Sequence, residues 1–551
     1  LADALTQGTP VCIVADYDCD GATACAVGLR GLRMLEAALA THGQRAPRPD
    51  LISYLVPDRV TDGYGLTPAL ALRVAATGAK LLVTVDNGIA SVEGVQIARE
   101  LGMQVLVTDH HLPAILNGQV VLPADCTIVN PNQPGCTFES KAIAGVGVMF
   151  YVLLALRAEL RNRGIFDATE PAPGRPKLAN APLGGAATAG SVGGSIPQPK
   201  VDTLLPLVAL GTVADVVRLD ANNRRLVAQG LKRVRAGALP PGLAALFAVA
   251  GRKPEAATAF DFGFAVGPRL NAAGRLSDMT LGIECLTTDD PTRATDLART
   301  LDTINRERKT IEGDMREQAL QLADEMLDES EEPPPALCVF DPDFHEGVVG
   351  IVASRLKDKL HRPTFVFAMS GAEGHENELK GSGRSIPGFH LRDALDLVAK
   401  RHPGVLLRFG GHAMAAGCTI DADSLDIFEA ALQQVAHEWL DKATLTRSMQ
   451  ADGPLDKQYR RTDLVDALHK EVWGQGFAPP VFAEEVDVVS QRLVGEKHLA
   501  LKLRHQGDPV DAIWFSHTEP LPPRVKLAFR LDADEWQGQR RVRFLVEGAE
   551  V

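Results

Sequence analysis

The chain of 551 residues lacks several features that would place it in a specialised class of protein. Its eight cysteines include no Cys-x-x-Cys pair, which argues against a zinc knuckle or a disulfide framework and for a reducing compartment. The longest apolar stretch, 142–156, has 15 residues, fewer than the roughly 18 needed to cross a bilayer. We therefore expect a cytoplasmic protein without a membrane association, and a buried helix at 142–156.

The sequence also lacks an excess of positive charge, since its formal net charge at pH 7 is −13. Proteins that bind nucleic acids usually carry a basic footprint, so a polyanion would have to bind here in a local groove. Acidic metal ligands lower the net charge as well, so the charge is also compatible with a metal site.

The first third of the chain alternates apolar runs typical of strands with stretches typical of helices. This alternation predicts an α/β domain with a doubly wound parallel sheet, in which functional residues collect at the carboxyl ends of the strands. The strand-like runs are 11–15, 51–56, 81–85, 105–108 and 127–129, and the helical stretches include 67–77 and 92–101.

The later segments predict further structural units. A stretch rich in Gly, Ala, Ser and Pro at 181–200 is typical of a mobile surface insertion. The charged and helix-favouring segment 291–328 predicts a long connecting helix. A second α/β region follows at about 336–440, and short β-like segments from about 450 onwards predict a small barrel.

Four apolar runs of the first domain end in residues that commonly bind metal ions. The runs are VADYDCDG, which holds Asp16, Asp18 and Asp20, and then VTVDNG, LVTDHH and GTVADVV. Read as strands of one parallel sheet, they bring their final residues together. Clustered carboxylates repel one another, and a divalent cation relieves that repulsion. A single Asp-x-Asp-x-Asp run could equally be a turn, but four such segments favour metal.

The chemistry of these residues narrows the choice of metal. Oxygen and imidazole ligands without a thiolate favour Mn²⁺ or Mg²⁺ over structural zinc. Two such ions bridged by one carboxylate would activate water and bind a phosphoryl oxygen.

The order D-x-D-x-D-G, V-D-N-G, D-H-H and A-D-V-V resembles the DHH phosphoesterase superfamily. Four later motifs, GPRLNAAGRL, HEGVVGIVASRL, GSGRS and FGGHAMAAG, resemble its RecJ family of bacterial single-strand-specific 5′→3′ DNA exonucleases. The resemblance covers nearly the whole chain. Members of that family carry more sequence before the first motif, and this chain begins with Leu1 rather than Met, so we expect an earlier natural start.

The resemblance implies a domain order and an activity. The implied domains are a DHH catalytic domain at 1–290 with a flexible insertion near 170–200, a connecting helix at 291–332, a DHHA1 substrate-binding domain at 333–445 and an OB-like nucleic-acid-binding domain at 446–551. The implied reaction removes 5′-mononucleotides from the free 5′ end of single-stranded DNA with two Mn²⁺ or Mg²⁺ ions, in DNA repair and recombination. The family also implies a monomer, with single-strand-binding protein and a RecQ-type helicase as partners.

The resemblance also implies roles for individual residues of these motifs. The implied metal ligands are Asp16, Asp18, Asp86, His110 and Asp215, with Asp86 as the bridge between the ions. His111 would face the scissile phosphate, and Asp109 would orient a histidine. For Asp20 the resemblance leaves open whether it binds a metal or orients another residue.

Residues suited to binding a DNA strand occur in both α/β regions. An Arg can hold a terminal phosphate, a Tyr can stack a base, and Gly-flanked hydroxyls can contact phosphate oxygens. The candidates are Arg59, Tyr64, Arg269, Asn271, Arg275, Ser382, Arg384, Ser385 and His412. The last region holds further aromatic and basic residues that could form a groove in which bases stack. Core packing would explain the aromatic residues equally well. The residues are Trp473, Phe477, Phe482, Arg524, Lys526, Arg530, Arg540 and Arg541.

Two other functions remain open from the sequence. A phosphatase for small substrates would share the acidic motifs, but such chains are shorter and lack an OB-like region. A non-catalytic DNA-replication scaffold of the same superfamily would have lost metal ligands, whereas every ligand position is present here.

Overall fold

A computed structural model describes residues 1–59, 62–116, 119–166, 196–326, 334–372, 374–536 and 539–550. The chain forms two compact units, Leu1–Asn305 with Gly474–Phe477 and Arg306–Trp473 with Ala478–Val551. The predicted insertion near 170–200 lies outside the described residues except for 196–200. Among the helices of the described ranges, none combines the length and the apolar character needed to cross a membrane.

The first unit is built on a parallel five-stranded sheet with the order β2-β1-β3-β4-β7. All five strands predicted from the sequence are present, so the predicted parallel sheet is confirmed. A two-stranded antiparallel hairpin, β5-β6, follows β4. The strands are β1 Val11–Ala15, β2 Ile52–Leu55, β3 Leu81–Val85, β4 Gln104–Thr108, β5 Ala114–Leu116, β6 Gln119–Val121 and β7 Thr127–Val129.

Helices cover both faces of this sheet, as expected for a doubly wound fold. Cys12 and Val14 of β1 pack on one face with Leu70 of α3 and Val95 of α4. On the other face, Ile13 reaches Gly28 of α2. The helices are α1 Ala2–Gln7, α2 Cys19–His42, α3 Pro68–Ala76, α4 Val92–Glu100, α5 Gly145–Asn162, α6 Leu205–Ala214, α7 Ala221–Arg235, α8 Pro241–Val249, α9 Ala259–Asp261, α10 Gly267–Leu276 and α11 Thr280–Thr287.

The prediction that the run GTVADVV ends a strand is wrong. Leu205–Ala214 forms helix α6, and Asp215 is the residue that caps its carboxyl end. Most residues of α6 are buried and apolar, so the sequence shows no polar face. A short apolar run of this kind has the same appearance whether it is a central strand or a buried helix.

The second unit contains a mixed five-stranded sheet with the order β11-β12-β10-β9-β8, in which only β8 and β9 run parallel. The predicted connecting helix is present as α12, which begins in the first unit and ends in the second. The elements are α12 Pro291–Met326, β8 Leu337–Phe340, α13 Val349–Leu360, β9 Thr364–Met369, β10 Glu378–Arg384, α14 Leu391–Arg401, β11 Arg408–Gly411, β12 Ala415–Asp421 and α15 Leu425–Trp439.

The last region forms a closed barrel with the strand order β13-β14-β15-β17-β16. The predicted fold class, a parallel-sheet α/β domain with a long helix, a smaller α/β domain and a small barrel, is therefore confirmed. The elements are α16 Thr462–Lys470, β13 Phe482–Val494, β14 His498–His505, β15 Asp508–Trp514, β16 Arg524–Trp536 and β17 Gln539–Glu550. The β-like segments predicted from the sequence, 485–493, 499–503, 512–515 and 540–546, do not include β16, although Val525, Leu527 and Phe529 recur at every second position and are buried.

The barrel uses its aromatic residues mainly for packing. Phe482 packs against the barrel core, where its ring centroid lies 6.1 Å from that of Phe529. The Trp473 indole donates a hydrogen bond to the Leu468 carbonyl, and Phe477 lies under the Arg224 guanidinium. The basic residues of the suggested groove mostly pair with acids in the described structure: Arg524 with Glu485, Lys526 with Glu550, Arg530 with Glu547 and Arg540 with Asp466, while Arg541 contacts Gln539.

Candidate active site

The acidic residues of the first unit meet at the carboxyl edge of the parallel sheet. Strands β1, β3 and β4 are neighbours, and the residues that follow them are Asp16, Asp86 and Asp109. Neighbouring parallel strands end side by side, which explains why residues far apart in the sequence converge. Asp215 reaches the same place from the end of α6.

Two groups of potential ligand atoms share Asp86. His110 Nε2 lies 3.1 Å from Asp86 Oδ1 and 3.5 Å from Asp215 Oδ2. Asp86 also forms a group with Asp16 and Asp18, in which one oxygen of each lies within 4.8 Å of the others. The structure therefore brings the five predicted metal ligands together, with Asp86 shared by two groups of ligand atoms and a third group joining His110 and Asp215 with Asp20.

The electrostatics of this cluster fit a site for cations. Burial, followed by the charge of Asp18, raises the pKa of Asp16 to about 8 and the pKa of Asp20 to about 7. Burial and neighbouring carboxylates also raise the pKa values of Asp86 and Asp215 well above the ordinary value. Bound cations would restore the ionised forms.

Two buried oxygens of the cluster support the same conclusion. In the described part of the chain, neither Asp86 Oδ1 nor Asp215 Oδ2 accepts a hydrogen bond. Buried polar atoms nearly always form a hydrogen bond in folded proteins, so buried oxygens without one indicate a bound ligand. Oxygen and imidazole donors suit Mn²⁺ or Mg²⁺, so the residues present fit these ions.

The backbone at Asp86 is held in a special conformation. Asp86 has a φ of 62°, in the left-handed region that Asp and Asn tolerate better than most residues. Its N–H donates to the Thr108 carbonyl over 3.0 Å. A methyl group at Gly145 would lie 2.5 Å from Asp86 Oδ1, so the first residue of α5 has to be Gly.

Asp20 is tied to the backbone at the start of α5. Its Oδ2 accepts from the Gly145 N–H over 2.6 Å, and its Oδ1 accepts from the Val146 N–H over 3.0 Å. The amino end of a helix stabilises such a carboxylate. These bonds fix α5 against α2, while an Asp20 oxygen also lies within 4.8 Å of a ligand atom of both His110 and Asp215, so both alternatives for Asp20 stay predictions.

Because Asp20 satisfies two buried N–H groups, we expect Asp20→Ala to lower the free energy of unfolding by about 2 kcal/mol or more. This loss corresponds to a fall in Tm of about 5 °C, measured by calorimetry in the presence of a chelator. Asp202→Ala, which removes an exposed ion pair with Arg233, is the matched control and should change Tm very little. Equal Tm values for the two variants would refute the tethering role of Asp20.

Asp109 organises the turn that carries the two histidines. Its Oδ1 accepts from the His110 and His111 N–H groups and lies 2.8 Å from His111 Nδ1, while its Oδ2 accepts from the Ile89 N–H. Burial lowers the pKa of His111, but its hydrogen bond with Asp109 and the surrounding carboxylates outweigh burial and raise it to about 9. Asp109 therefore contacts both the ring and the backbone N–H of His111, and its orienting role stays a prediction.

Sequence reasoning missed two asparagines that hold the same turn. The Asn130 side-chain amide donates to the His111 carbonyl over 3.0 Å, and the Asn132 amide donates to the His110 carbonyl over 2.6 Å. Both belong to the segment VNPN directly after β7. Their position after a neighbouring strand of the same sheet is the signal that could have revealed them.

The structure places Tyr64 and Arg59 beside the cluster. The Tyr64 hydroxyl lies 3.3 Å from the ring nitrogens of His111. The Arg59 guanidinium stacks 4.3 Å above the ring of Tyr17, a residue that the sequence reading did not select. The Tyr17 ring also packs edge-on against Tyr64. Tyr17 therefore contacts both Arg59 and Tyr64, and the three side chains lie together at the edge of the site.

The three candidates from α10 have different surroundings. Arg269 pairs with Asp302 over 2.8 Å and donates to the Ala265 carbonyl, so its guanidinium serves internal contacts. Asn271 Oδ1 accepts from the Cys19 N–H over 2.8 Å and thereby fixes α10 to the start of α2. Arg275 lies in the last turn of α10 and is partly exposed.

In the second unit, Arg384 is a partly buried cation near the first turn of α13. Its guanidinium donates to Ser382 Oγ over 3.0 Å and to the Gly383 carbonyl over 2.8 Å. A methyl group at Gly350 would lie 2.9 Å from both the Arg384 guanidinium and Ser382 Oγ. Burial lowers the pKa of Arg384, and within the described ranges no carboxylate pairs with it. A cation beside the positive end of a helix fits an anion-binding site.

The other two candidates of the second unit differ in exposure. Ser385 is buried, and its hydroxyl donates to the Phe389 carbonyl over 2.6 Å. His412 is exposed in the turn between β11 and β12, where its N–H donates to the Ala415 carbonyl. Ser385 therefore supports the loop after β10, and His412 faces solvent.

Three family models match the chain. The DHH family N-terminal domain matches residues 10–172, the DHHA1 domain matches 334–438 and the RecJ OB domain matches 451–548. The model that matches the first unit therefore covers β1 to β7 and the acidic motifs that follow β1, β3 and β4.

Curated proteins and solved structures agree with these models. The single-stranded-DNA-specific exonucleases RecJ of Salmonella typhimurium and Escherichia coli are each 42% identical over 555 residues, which cover 99% of this chain and 88% of theirs. The Thermus thermophilus RecJ structure with Mn²⁺ has 27% identity and a TM-score of 0.76, covering 100% of this chain and 70% of that one. The structure with Mg²⁺ has 26% identity and a TM-score of 0.70, covering 100% and 68%. The chain belongs to the RecJ family.

Proposed function

We propose that this chain is a single-strand-specific 5′→3′ DNA exonuclease that hydrolyses phosphodiester bonds and releases 5′-mononucleotides in DNA repair and recombination. The observation that carries the proposal is the buried cluster around Asp86, in which carboxylate oxygens without hydrogen bonds face His110. The relatives named as single-stranded-DNA-specific exonucleases, and the RecJ structures with Mn²⁺ or Mg²⁺, support the same reading.

In this proposal Asp16, Asp18, Asp86, His110 and Asp215 hold two Mn²⁺ or Mg²⁺ ions, with Asp86 contacting both. Divalent cations of this kind activate water and stabilise the charge that develops on phosphoryl oxygens. The chain itself holds these ligands in place through the strand ends and through the capped end of α6.

The neighbouring residues orient the substrate and the histidine. Asp109 fixes the ring of His111 through Nδ1, and Asn130 and Asn132 fix the backbone of the histidine turn. His111, held in this way, faces the phosphate and donates a hydrogen bond to it. Tyr64, which contacts His111, and Arg59, which is stacked on Tyr17, approach the substrate from the same side.

The direction of cleavage requires recognition of one end of the strand, since the metal ligands alone do not distinguish the two ends. A 5′-phosphate carries an additional negative charge, and an Arg fork with a hydroxyl donor binds such a group in a fixed geometry. Arg384 with Ser382 supplies that combination, and Arg59 offers a second, weaker candidate. Arg275 and His412, which are at least partly exposed, would touch the strand, whereas Arg269, Asn271 and Ser385 would support the elements of their own units through internal contacts.

The test uses DNA labelled separately at the 5′ and the 3′ end, as a single strand and as a blunt duplex. After removal of bound metal, addition of Mn²⁺ or Mg²⁺ should permit digestion of the single strand only. The 5′ label should be released as a mononucleotide at the earliest times. Early release of the 3′ label, or digestion that needs no metal, would contradict the proposal.

A metal titration tests the assigned ligands. Asp215→Asn and His110→Ala each remove one donor from the cluster, so we expect a higher Mn²⁺ concentration for half-maximal rate as well as a lower maximal rate. By analogy with other metal sites the shift should be at least about tenfold. A lower rate with an unchanged titration midpoint would place these residues outside the metal ligand set.

The two alternative functions give different results in the same assays. A phosphatase for small substrates would hydrolyse short oligonucleotides but leave long single strands intact. A replication scaffold would bind DNA without hydrolysing it. We further propose that the protein acts as a monomer in the cytoplasm, with single-strand-binding protein and a RecQ-type helicase supplying single strands.

A further inference from the structure

Two stacked phenylalanine rings lie exposed on the surface of the first unit. Phe260 is 55% exposed and Phe264 is 70% exposed. Their ring centroids are 4.5 Å apart, and the ring planes differ by 22°. Exposed aromatic surface of this kind forgoes the stabilisation that burial would provide and often marks a binding site.

The pair is carried by a rigid turn. Phe260 belongs to α9, and Phe264 belongs to the π-helical turn Phe262–Val266 that leads directly into α10. Phe262 points inwards, where it is fully buried and packs on Phe247 with centroids 6.0 Å apart. Short π-helical turns are frequent at functional sites. Burial of Phe262 therefore anchors a turn that presents the other two rings outwards.

This turn packs against the end of α6, which carries one of the proposed metal ligands. A methyl group at Gly263 would lie 3.4 Å from Val213 Cγ1, and one at Gly267 would lie 3.1 Å from Ala214 Cβ. The residue after Ala214 is Asp215, and Val216 beyond it is 64% exposed. The turn that carries the aromatic pair therefore packs against the last residues of α6, directly before Asp215.

Helix α10 keeps this arrangement fixed. Asn271 of α10 accepts a hydrogen bond from the Cys19 N–H at the start of α2, directly after Asp18. Arg269, two residues earlier, pairs with Asp302 of α12. The helix that follows the Phe264 turn is therefore held to the start of α2, next to Asp18, and to α12.

We propose that Phe264, supported by Phe260, is a stacking platform for one base of the single strand whose phosphodiester bond is cleaved at the acidic cluster. The proposal rests on the proposed nuclease function. A strand that reaches the cluster has to pass neighbouring surfaces, and the turn with the aromatic pair adjoins the end of α6 that carries Asp215. Every base has a π face, so stacking holds the strand without selecting a sequence.

The first test compares Phe264→Leu, which keeps an apolar side chain but loses the ring, with Phe264→Trp, which keeps a stacking ring. We expect Phe264→Leu to raise KM for a 5′-phosphorylated single strand by about tenfold, within the range measured for loss of one base–aromatic stack. The factor by which KM rises should exceed the factor by which kcat falls. Phe264→Trp should keep KM close to the wild-type value. Leu72→Ala, at another exposed apolar side chain of the same unit, should leave KM unchanged.

The second test uses substrates with a single abasic site moved through successive positions from the 5′ end. At one position, loss of the base should raise KM of the wild-type protein by the same factor as Phe264→Leu. The two changes together should have no greater effect than either alone, because both remove the same contact.

Additive effects at every position, or an unchanged KM for Phe264→Leu, would overturn the platform. Unchanged kinetics together with loss of binding to a protein partner would instead identify the pair as a protein-docking site. A wild-type protein that does not digest single strands would refute the proposed function, and the platform with it. An active wild-type protein with an unaffected Phe264→Leu variant would refute the platform alone.

Discussion

Asp86→Asn is expected to abolish hydrolysis while the protein remains folded. Asp86 belongs to two groups of ligand atoms, one with Asp16 and Asp18 and the other with the two histidines, so its replacement should weaken both proposed cation sites at once. Loss of a single contact to a developing charge lowers the rate of other enzymes by about a hundred- to thousandfold. We expect a loss at or beyond the upper end of that range, measured as single-strand digestion at saturating Mn²⁺.

Asn is the appropriate replacement because of the backbone at this position. Asp86 has a φ of 62°, which Asn adopts readily and Ala does not. The variant therefore keeps the shape and the backbone and removes only the charge. The same variant should lose most of the increase in Tm that Mn²⁺ gives the wild-type protein, since a ligand that binds the folded state stabilises it.

Asp125→Asn is a matched control. Asp125 also has a positive φ, 52°, but it is exposed and lies outside the ligand groups. We expect wild-type digestion and a wild-type Mn²⁺ response from this variant. Near-normal digestion by a folded Asp86→Asn protein would show that Asp86 does not bridge two ions.

Arg384→Ala is expected to impair digestion of 5′-phosphorylated single strands much more than digestion of 5′-hydroxyl strands. The Arg384 guanidinium is partly buried, lies beside the first turn of α13 and pairs with no carboxylate among the described residues. Truncation of one partner of a buried charged pair costs about 2–5 kcal/mol in other complexes, or at least about thirtyfold in affinity. We expect a loss of about this size in kcat/KM for the phosphorylated strand.

Arg384→Lys tests whether the positive charge alone, without the planar guanidinium, is enough to recognise a 5′-phosphate. Lys keeps the positive charge but lacks the planar fork, so it should recover only part of the preference for a 5′-phosphate. Arg408→Ala is the control, because Arg408 lies in the same sheet, is exposed and pairs with Glu378. Equal losses of Arg384→Ala on phosphorylated and hydroxyl strands would identify Arg384 as a general backbone contact rather than a reader of the end.

The central strands and the acids that follow them could be predicted from the sequence. Strand β3 was predicted at its observed bounds because a short β-branched run flanked by helical segments leaves little ambiguity, and the acid after it then had to lie at the sheet edge. The helix before Asp215 could not be distinguished from a strand, since its residues are apolar on all sides.

Other parts of the site depend on contacts that a single sequence does not reveal. Asp20 looks like its neighbours Asp16 and Asp18, and only the fold shows that its oxygens bind the backbone of α5. Asn130 and Asn132 lie in a segment that reads as an ordinary turn. The surroundings of Arg384 were equally hidden, because the absence of a paired carboxylate is a property of three-dimensional packing.

The metal centre is tested most directly by anomalous diffraction from crystals of the wild-type protein soaked in Mn²⁺. We predict two peaks, roughly 3.5–4 Å apart as in other two-metal sites, one beside Asp16 and Asp18 and the other beside His110 and Asp215, with Asp86 between them. Crystals of Asp86→Asn soaked in the same way should lose at least one of the peaks. Mn²⁺ bound away from these residues, or two undiminished peaks in the Asp86→Asn protein, would contradict the proposed centre.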